Sequence, residues 1–115
     1  MHRVHYAGHS IVTGTAIAHA LLDYAQALAE AGGSATVVIP TWHEDGSRGE
    51  SEVLIGPSSQ LISDAEESEF PELIDDHVVA YLGEAAANAR KFGVSSTTAE
   101  IPARPEPREW TDFEF

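Results

Sequence analysis

The segment from Ser34 to Ser63 decides the fold, because it contains the strongest strand signals in the chain. It reads SATVVIPTW at positions 34–42, then a polar loop, then EVLIGP at 52–57 and SSQLIS at 58–63. Two apolar, β-branched runs on either side of a glycine-containing loop are typical of a β-hairpin. The Gly56-Pro57 step separates this hairpin from a third short strand. An isolated hairpin is only marginally stable in water, so the segment needs covering elements.

Two amphipathic helices flank this segment and provide the cover. The first is predicted between Thr13 as N-cap and Gly32-Gly33 as C-terminal stop. Its apolar stripe is Ile17, Leu21, Tyr24, Ala25 and Leu28. The second is predicted to have Pro71 in its first turn and to end at Gly93. Its apolar stripe is Ile74, Val78, Tyr81, Leu82, Ala85 and Ala89, with Leu73 at the margin.

The predicted fold class is α+β in the order β-α-β-β-β-α, with a mostly antiparallel sheet covered on one face by both helices. Residues 2–7 form the first strand, with Val4 and Tyr6 on one face, and Gly8-His9-Ser10 breaks it. Strand, helix and strand up to residue 40 suggest a βαβ unit, whose two strands would run parallel, through a right-handed crossover, if they share a sheet. We expect a single domain over residues 1–93, followed by an extended C-terminal arm over residues 94–115.

The strongest global feature is negative charge. Nineteen acidic residues against six basic ones give a formal net charge of −13. Ten of the acids lie between Arg48 and Arg90, an interval without Lys or Arg. Nucleic-acid affinity needs clustered cations, and so does binding to anionic membranes, so we expect neither partner. The acids Glu69, Glu72, Asp75 and Asp76 would favour the start of the second helix through its dipole, the alternative being a cation or partner site.

The absence of cysteine excludes disulfides, thiolate metal sites and a cysteine nucleophile. No apolar run approaches the roughly 20 residues that a transmembrane helix needs. The first residues also lack the apolar centre of a signal peptide. The sequence therefore predicts a cytoplasmic protein.

Six histidines could act as bases or ligands, but their spacing matches no metal motif, and we predict no metal site and no cofactor. The candidate ligand-binding residues are His5, His9, Trp42, His43 and Asp45. They would meet if the end of the first strand reaches the mouth of the hairpin, where an aromatic ring supplies area and polar groups supply orientation. The alternative is that the polar residues of the hairpin tip are merely solvated.

The C-terminal arm combines a linker-like start with an aromatic end. Pro102, Pro105 and Pro107 forbid a regular helix. Trp110, Phe113 and Phe115 are three of the nine aromatic residues of the chain and lie within its last six positions. Disordered segments are depleted in aromatic residues, so we expect the arm to dock on its own domain, on a second copy or on another protein.

The open face of the sheet points to self-association. It would carry alternate residues of the hairpin: Thr36, Val38, Pro40, Trp42 and Leu54. This set is too apolar to be left in water, so we expect a homodimer that uses the open face, the arm or both.

No constellation in the chain specifies a reaction, and the leading functional prediction is a non-enzymatic binding or assembly module. The first alternative is a small enzyme with a subunit-interface pocket formed by the five candidate residues, in which a histidine acts as general base. The second alternative is an acidic mimic of nucleic acid that binds a basic protein. Salt would weaken such a complex, because surface charges are screened.

Overall fold

The computed structural model describes residues 1–92 and has an α+β fold, with one five-stranded antiparallel sheet and two helices. The strands are β1 (His2–Tyr6), β2 (His9–Thr13), β3 (Ala35–Trp42), β4 (Arg48–Ile55) and β5 (Leu61–Ala65). The helices are α1 (Thr15–Ala31) and α2 (Asp76–Phe92). The order across the sheet is β4-β3-β2-β1-β5. The predicted fold class is confirmed, while the arm over residues 94–115, with Trp110, Phe113 and Phe115, lies outside the described residues.

The sequence predicts that the first strand ends at Gly8-His9-Ser10 and that the first helix comes next. This is wrong, because a second strand lies between them. Ala7 and Gly8 have φ values of 53° and 83° and form a two-residue turn. Such a turn matches the twist of a hairpin, so β2 folds back on β1 with Tyr6 opposite His9. Alanine rarely adopts a positive φ, and the turn is therefore hard to recognise from the sequence.

The first helix is confirmed, but Thr13 is not its N-cap. Thr13 ends β2 and is buried, and its hydroxyl donates to the carbonyl oxygen of Pro40 at 2.7 Å. The N-cap is Gly14, which has no side chain to offer the free backbone N–H groups. Gly32 ends the helix in the left-handed conformation, as predicted.

The two strands of the predicted βαβ unit, β1 and β3, share the sheet, but they do not pair with each other. β2 lies between β1 and β3 and is antiparallel to both. The outer two of these strands therefore run in the same direction but are not neighbours. The inserted strand that the sequence pattern did not reveal accounts for the difference.

The second helix begins at Asp76, later than predicted, because residues 66–75 form a non-helical connector. In this connector Leu73 is buried, whereas Ile74 is 68% exposed, which reverses their predicted roles. Neighbouring side chains of a non-helical chain point in different directions, so a stripe drawn at helical spacing fails here. The carboxylate of Asp75 accepts a hydrogen bond from the backbone N–H of Val78 at 3.2 Å and caps α2.

The sheet curls around its core. Residues 56–60 connect the two edge strands, β4 and β5, and so hold their ends together. The hydroxyl of Tyr6 in β1 donates to the carbonyl oxygen of Leu54 in β4, although β2 and β3 separate these strands in the sheet order. The largest fully buried core side chains include Ile17, Leu21 and Leu28 of α1, Ile39 and Ile55 of the hairpin, and Leu82 of α2. Curling of this kind encloses space on the inner side of the sheet.

The outer face of the hairpin is open along part of its length. Thr36 and Val38 are half-buried and Leu54 is 60% exposed. Pro40 is buried and Trp42 is half-buried. Within residues 1–92, neither helix combines the length and the apolar character needed to cross a membrane.

Candidate functional site

An apolar cavity of about 400 Å³ lies inside the curl of the sheet. Its apolar walls come from β1, β2, α1, β4 and β5: Val4, Ile11, Leu21, Val53 and Leu61. The ring of Tyr6, the small residue Ala7 and the polar residues His9, Ser10, Ser51 and Glu52 complete the lining. Ligand sites of proteins commonly have this composition, with apolar walls and a few polar groups that fix orientation.

A polar cavity of about 360 Å³ lies next to the apolar one. Its lining contains two aromatic rings, those of Trp42 and Phe70, and the aliphatic side chains of Ile11 and Val12. The remaining lining residues are polar: Arg3, Ser10, Thr41, His43, Glu44, Ser51, Glu66 and Ser68. The cavity therefore offers aromatic surface together with charged groups.

Ser10 and Ile11 of β2 and Ser51 of the hairpin line both cavities. In the described residues β2 pairs with β3 at one position, Val12 with Trp42. Beyond that pair the hairpin chain turns away, and the N–H of His43 donates to the carbonyl oxygen of Ser47 at 2.9 Å. We call the place where the two linings overlap, at Ser10 and Ile11 of β2 and Ser51 of β4, the β2–β3 opening.

The charge of Arg3 in the polar cavity is already matched. Its Nε and Nη2 donate to the two carboxylate oxygens of Glu66 at 2.7 and 2.9 Å, and its Nη1 donates to the hydroxyl of Ser10 at 3.0 Å. The hydrogen bond raises the pKa of the Arg3 guanidinium and lowers the pKa of the Glu66 carboxyl. Paired in this two-pronged way, the guanidinium has little capacity left for an anionic ligand.

The connector provides one wall of the polar cavity. Its Phe70 ring lies 5.3 Å from the indole of Trp42, measured between centroids. The indole Nε1 donates to the carbonyl oxygen of Pro71 at 3.2 Å. Gly46, with a φ of 88°, lies under the Phe70 ring, because a Cβ at position 46 would be 3.2 Å from that ring. These contacts fix the orientation of Trp42 at the cavity.

The structure distributes the five predicted ligand-binding residues over several places. Trp42 and His43 line the polar cavity, and His9 lines the apolar cavity. The Nε2 atom of His5 lies 3.4 Å from a carboxylate oxygen of Asp64 on the surface. Asp45 accepts hydrogen bonds from the hydroxyl and backbone N–H of Ser47, which lower its pKa. That these residues bind a ligand stays a prediction.

The exposed side chain of His43 lies against the backbone of β4 at the hairpin mouth. A Cβ on Gly49 would lie 2.0 Å from the His43 Nε2 atom, so the imidazole rests directly on the backbone of β4. A Cβ at position 49 would displace the imidazole from this contact. The ring is therefore positioned at the rim of the polar cavity.

Several cavity residues escape a reading of the sequence. Arg3, Ile11, Ser51, Glu66 and Phe70 come from three strands and the connector, and no motif spacing relates them. The sequence does carry a signal for Phe70, because it is a large apolar residue within an acidic segment. Among residues 1–92, no group of three or more His, Asp or Glu side chains is arranged to hold a metal ion.

Comparisons of the chain with protein-family models, with curated proteins and with solved structures find no match.

Proposed function

We propose that the protein is a non-enzymatic binding module that takes a small molecule into its apolar cavity and acts as a homodimer. The observation that carries the proposal is the apolar cavity of about 400 Å³, with polar groups at its border. A volume of this size lies within the range of roughly 300–1,000 Å³ of small-molecule sites. The chain without cysteine is also suited to the reducing cytoplasm, which is the compartment that we propose.

The contacts of the charged groups support a binding role over catalysis. Arg3 and Glu66 hold each other, and Asp45 holds the hairpin turn through Ser47. A carboxylate oxygen of Glu72 accepts the backbone N–H of Thr15 at 2.6 Å and so caps α1. Charged groups with such structural partners are less available for proton transfer.

The proposed homodimer rests on apolar surface that water does not favour. Leu54 is 60% exposed on the outer face of β4, and it lies opposite Thr36 with Val38 on the same face. The arm adds three aromatic residues that we predict to dock. Light scattering at micromolar concentration should give twice the mass of one chain, and removal of residues 94–115 should alter the oligomeric state. A single-chain mass for the full protein would contradict the dimer.

Native mass spectrometry of untagged protein, purified gently from its own host, tests the binding role. We expect a small-molecule adduct in stoichiometric amount on the full chain. Ser51→Leu fills the β2–β3 opening and should remove the adduct, whereas Thr36→Leu makes a similar change on the outer face and should retain it. Adduct-free wild-type protein, together with failure to bind apolar dyes, would contradict the proposal.

The alternative of a small enzyme with a subunit-interface pocket is favoured by one observation, the position of His43. Its imidazole lies at the polar cavity beside Glu44 and against the backbone of Gly49. A positioned histidine can serve as a general base. Turnover of the compound found as adduct, lost in His43→Asn and retained in His19→Asn on the exposed side of α1, would favour this alternative.

A further inference from the structure

We infer that the two cavities form one continuous site for an elongated molecule with an apolar tail and a cationic head. The inference rests on the proposed function, since it names the class of ligand for the same site. Its basis is the β2–β3 opening, where Ser10, Ile11 and Ser51 line both cavities. A molecule longer than either cavity can pass between them at this point.

The tail belongs in the apolar cavity. Its walls, Val4, Leu21, Val53 and Leu61, are aliphatic, and they favour the burial of each CH₂ group of a hydrocarbon chain. The volume of about 400 Å³ accommodates an extended hydrocarbon chain rather than a single small group. An apolar tail is therefore the part of the ligand that this cavity binds most strongly.

The β2–β3 opening exists because the hydrogen-bonded pairing between β2 and β3 stops. β3 pairs with β4 over its whole length, from Ala35 to Trp42, but with β2 only at Trp42 in the described residues. After Trp42 the chain bends into the loop before β4, while β2 continues back to His9. The strands diverge at the place where the cavities meet, so the passage is a consequence of the topology.

The head belongs in the polar cavity and should be positively charged. Trp42 and Phe70 offer aromatic surface, which attracts cations. Glu44 lines the same cavity and Glu52 lines the neighbouring one, while Glu66 already neutralises Arg3. A net charge of −13 for the whole chain further raises the local concentration of cations.

The experiment uses two reporters on the full chain at pH 7. Trp110→Phe leaves Trp42 as the single tryptophan, so its emission reports on the polar cavity. The dye N-phenyl-1-naphthylamine, which brightens in apolar surroundings, reports on the apolar cavity and is also used with wild-type protein. Decylamine, 1-decanol and decanoic acid are titrated below their micelle-forming concentrations, because they share a tail and differ in the charge of the head.

Decylamine should displace the dye and change the Trp42 emission with the same midpoint. It should bind about tenfold more tightly than decanoate. The exposed carboxylates of the polar cavity attract the ammonium head of decylamine and repel the carboxylate head of decanoate. Glu44→Gln should reduce this preference to about threefold or less. Glu50→Gln, on the outer face of β4, should leave it unchanged.

Two results would overturn the inference and leave the proposed function standing. One is displacement of the dye by decylamine without any change in Trp42 emission, which would mean separate cavities. The other is binding of decanoate as tight as that of decylamine, which would mean that the head is not recognised by its charge. If neither the dye nor any of the three ligands binds wild-type protein, the proposed function fails as well.

Discussion

The two edges of β3 differ in how many residues pair with the neighbouring strand. On one side β3 pairs with β4 at eight positions, from Ala35 opposite Ile55 to Trp42 opposite Arg48. On the other side the described residues give one pair with β2, Val12 opposite Trp42. The sheet thus consists of a hairpin, β3-β4, and a three-stranded part, β2-β1-β5, with a weak ladder between them.

Hydrogen bonds to the connector join the two parts where the strand ladder does not. The connector touches the three-stranded part through Glu66 and Arg3, the hairpin through Pro71 and Trp42, and α1 through Glu72. A regular ladder would close the sheet and leave no passage between the cavities. The connector joins the two parts from outside the ladder and leaves the β2–β3 opening in place. The stability of the fold and the candidate site therefore depend on the same connector.

The largest effect is expected for Gly14→Ala, where the connector crosses the start of α1. A Cβ at this position would lie 1.8 Å from the carbonyl oxygen of Leu73, so the connector backbone would have to move. We expect the free energy of unfolding to fall by about 3 kcal/mol or more in urea denaturation.

Gly83→Ala is the matched control for this change. Nothing lies within 4 Å of a Cβ at position 83, which is in the exposed part of α2. Alanine should stabilise the helix here by about 0.5–1 kcal/mol. Similar effects at positions 14 and 83 would contradict the role that we assign to the connector.

Leu73→Ala should have the next largest effect. The side chain is 3% exposed, and its loss leaves a cavity under the connector, which costs about 2–3 kcal/mol of unfolding free energy. Ile74→Ala, at a side chain that is 68% exposed, should change the stability by less than about 0.5 kcal/mol. Thermal unfolding of the two variants side by side measures the difference. If the two losses were equal, Leu73 would not anchor the connector.

Glu72→Ala should cost about 1 kcal/mol at neutral pH, because it removes the cap of α1. The hydrogen bond from the Thr15 N–H lowers the pKa of the Glu72 carboxyl below its ordinary value of 4.5. A carboxyl with a lowered pKa stabilises the fold above the ordinary pKa, and this stabilisation is lost as the pH falls through the folded-state pKa.

The difference in unfolding free energy between wild type and Glu72→Ala should therefore shrink as the pH falls below 4.5. Glu69→Ala, at an exposed acid of the same connector, serves as the control and should be close to wild type. A Glu72→Ala difference that grows toward low pH would refute the capping role.

The smallest effect is expected for Arg90→Ala, at the charge pair between the helices. Arg90 Nη2 lies 2.8 Å from a carboxylate oxygen of Asp23, and both side chains are substantially exposed. Exposed pairs contribute little, so we expect a loss of unfolding free energy smaller than that of Glu72→Ala, and salt should reduce it further. Chemical denaturation by urea at two salt concentrations, with Lys91→Ala as control, checks this. A loss above that of Leu73→Ala would mean that charge, not packing, holds the helices.

The regular half of the fold could be predicted from the sequence, because its signals are local. Alternation of apolar residues fixes the hairpin from Ala35 to Ile55, and helical spacing with Gly32 as stop fixes α1. β2 could not be predicted, because its turn uses Ala7 at a positive φ. The packing of the connector could not be predicted, because its acidic composition is typical of solvated segments. Its Leu73 is nevertheless buried.

The candidate site was less accessible to sequence reasoning than the fold. Trp42 and His43 stand out as an aromatic and a titratable residue beside a hairpin loop. Ile11 and Ser51 matter only because the sheet curls and its ladder stops, and neither property has a local sequence signal. Long-range geometry, rather than residue type, creates the β2–β3 opening.

Amide chemical-shift mapping by NMR tests most directly the claim that the β2–β3 opening is the binding site. Decylamine would be titrated into uniformly ¹⁵N-labelled full-length protein at pH 7. The largest shifts should occur at Ser10, Ile11 and Ser51, with smaller ones at Val53 and little change at Val38. Shifts concentrated at Val38 and Leu54 on the outer face, with Ile11 and Ser51 unaffected, would contradict it.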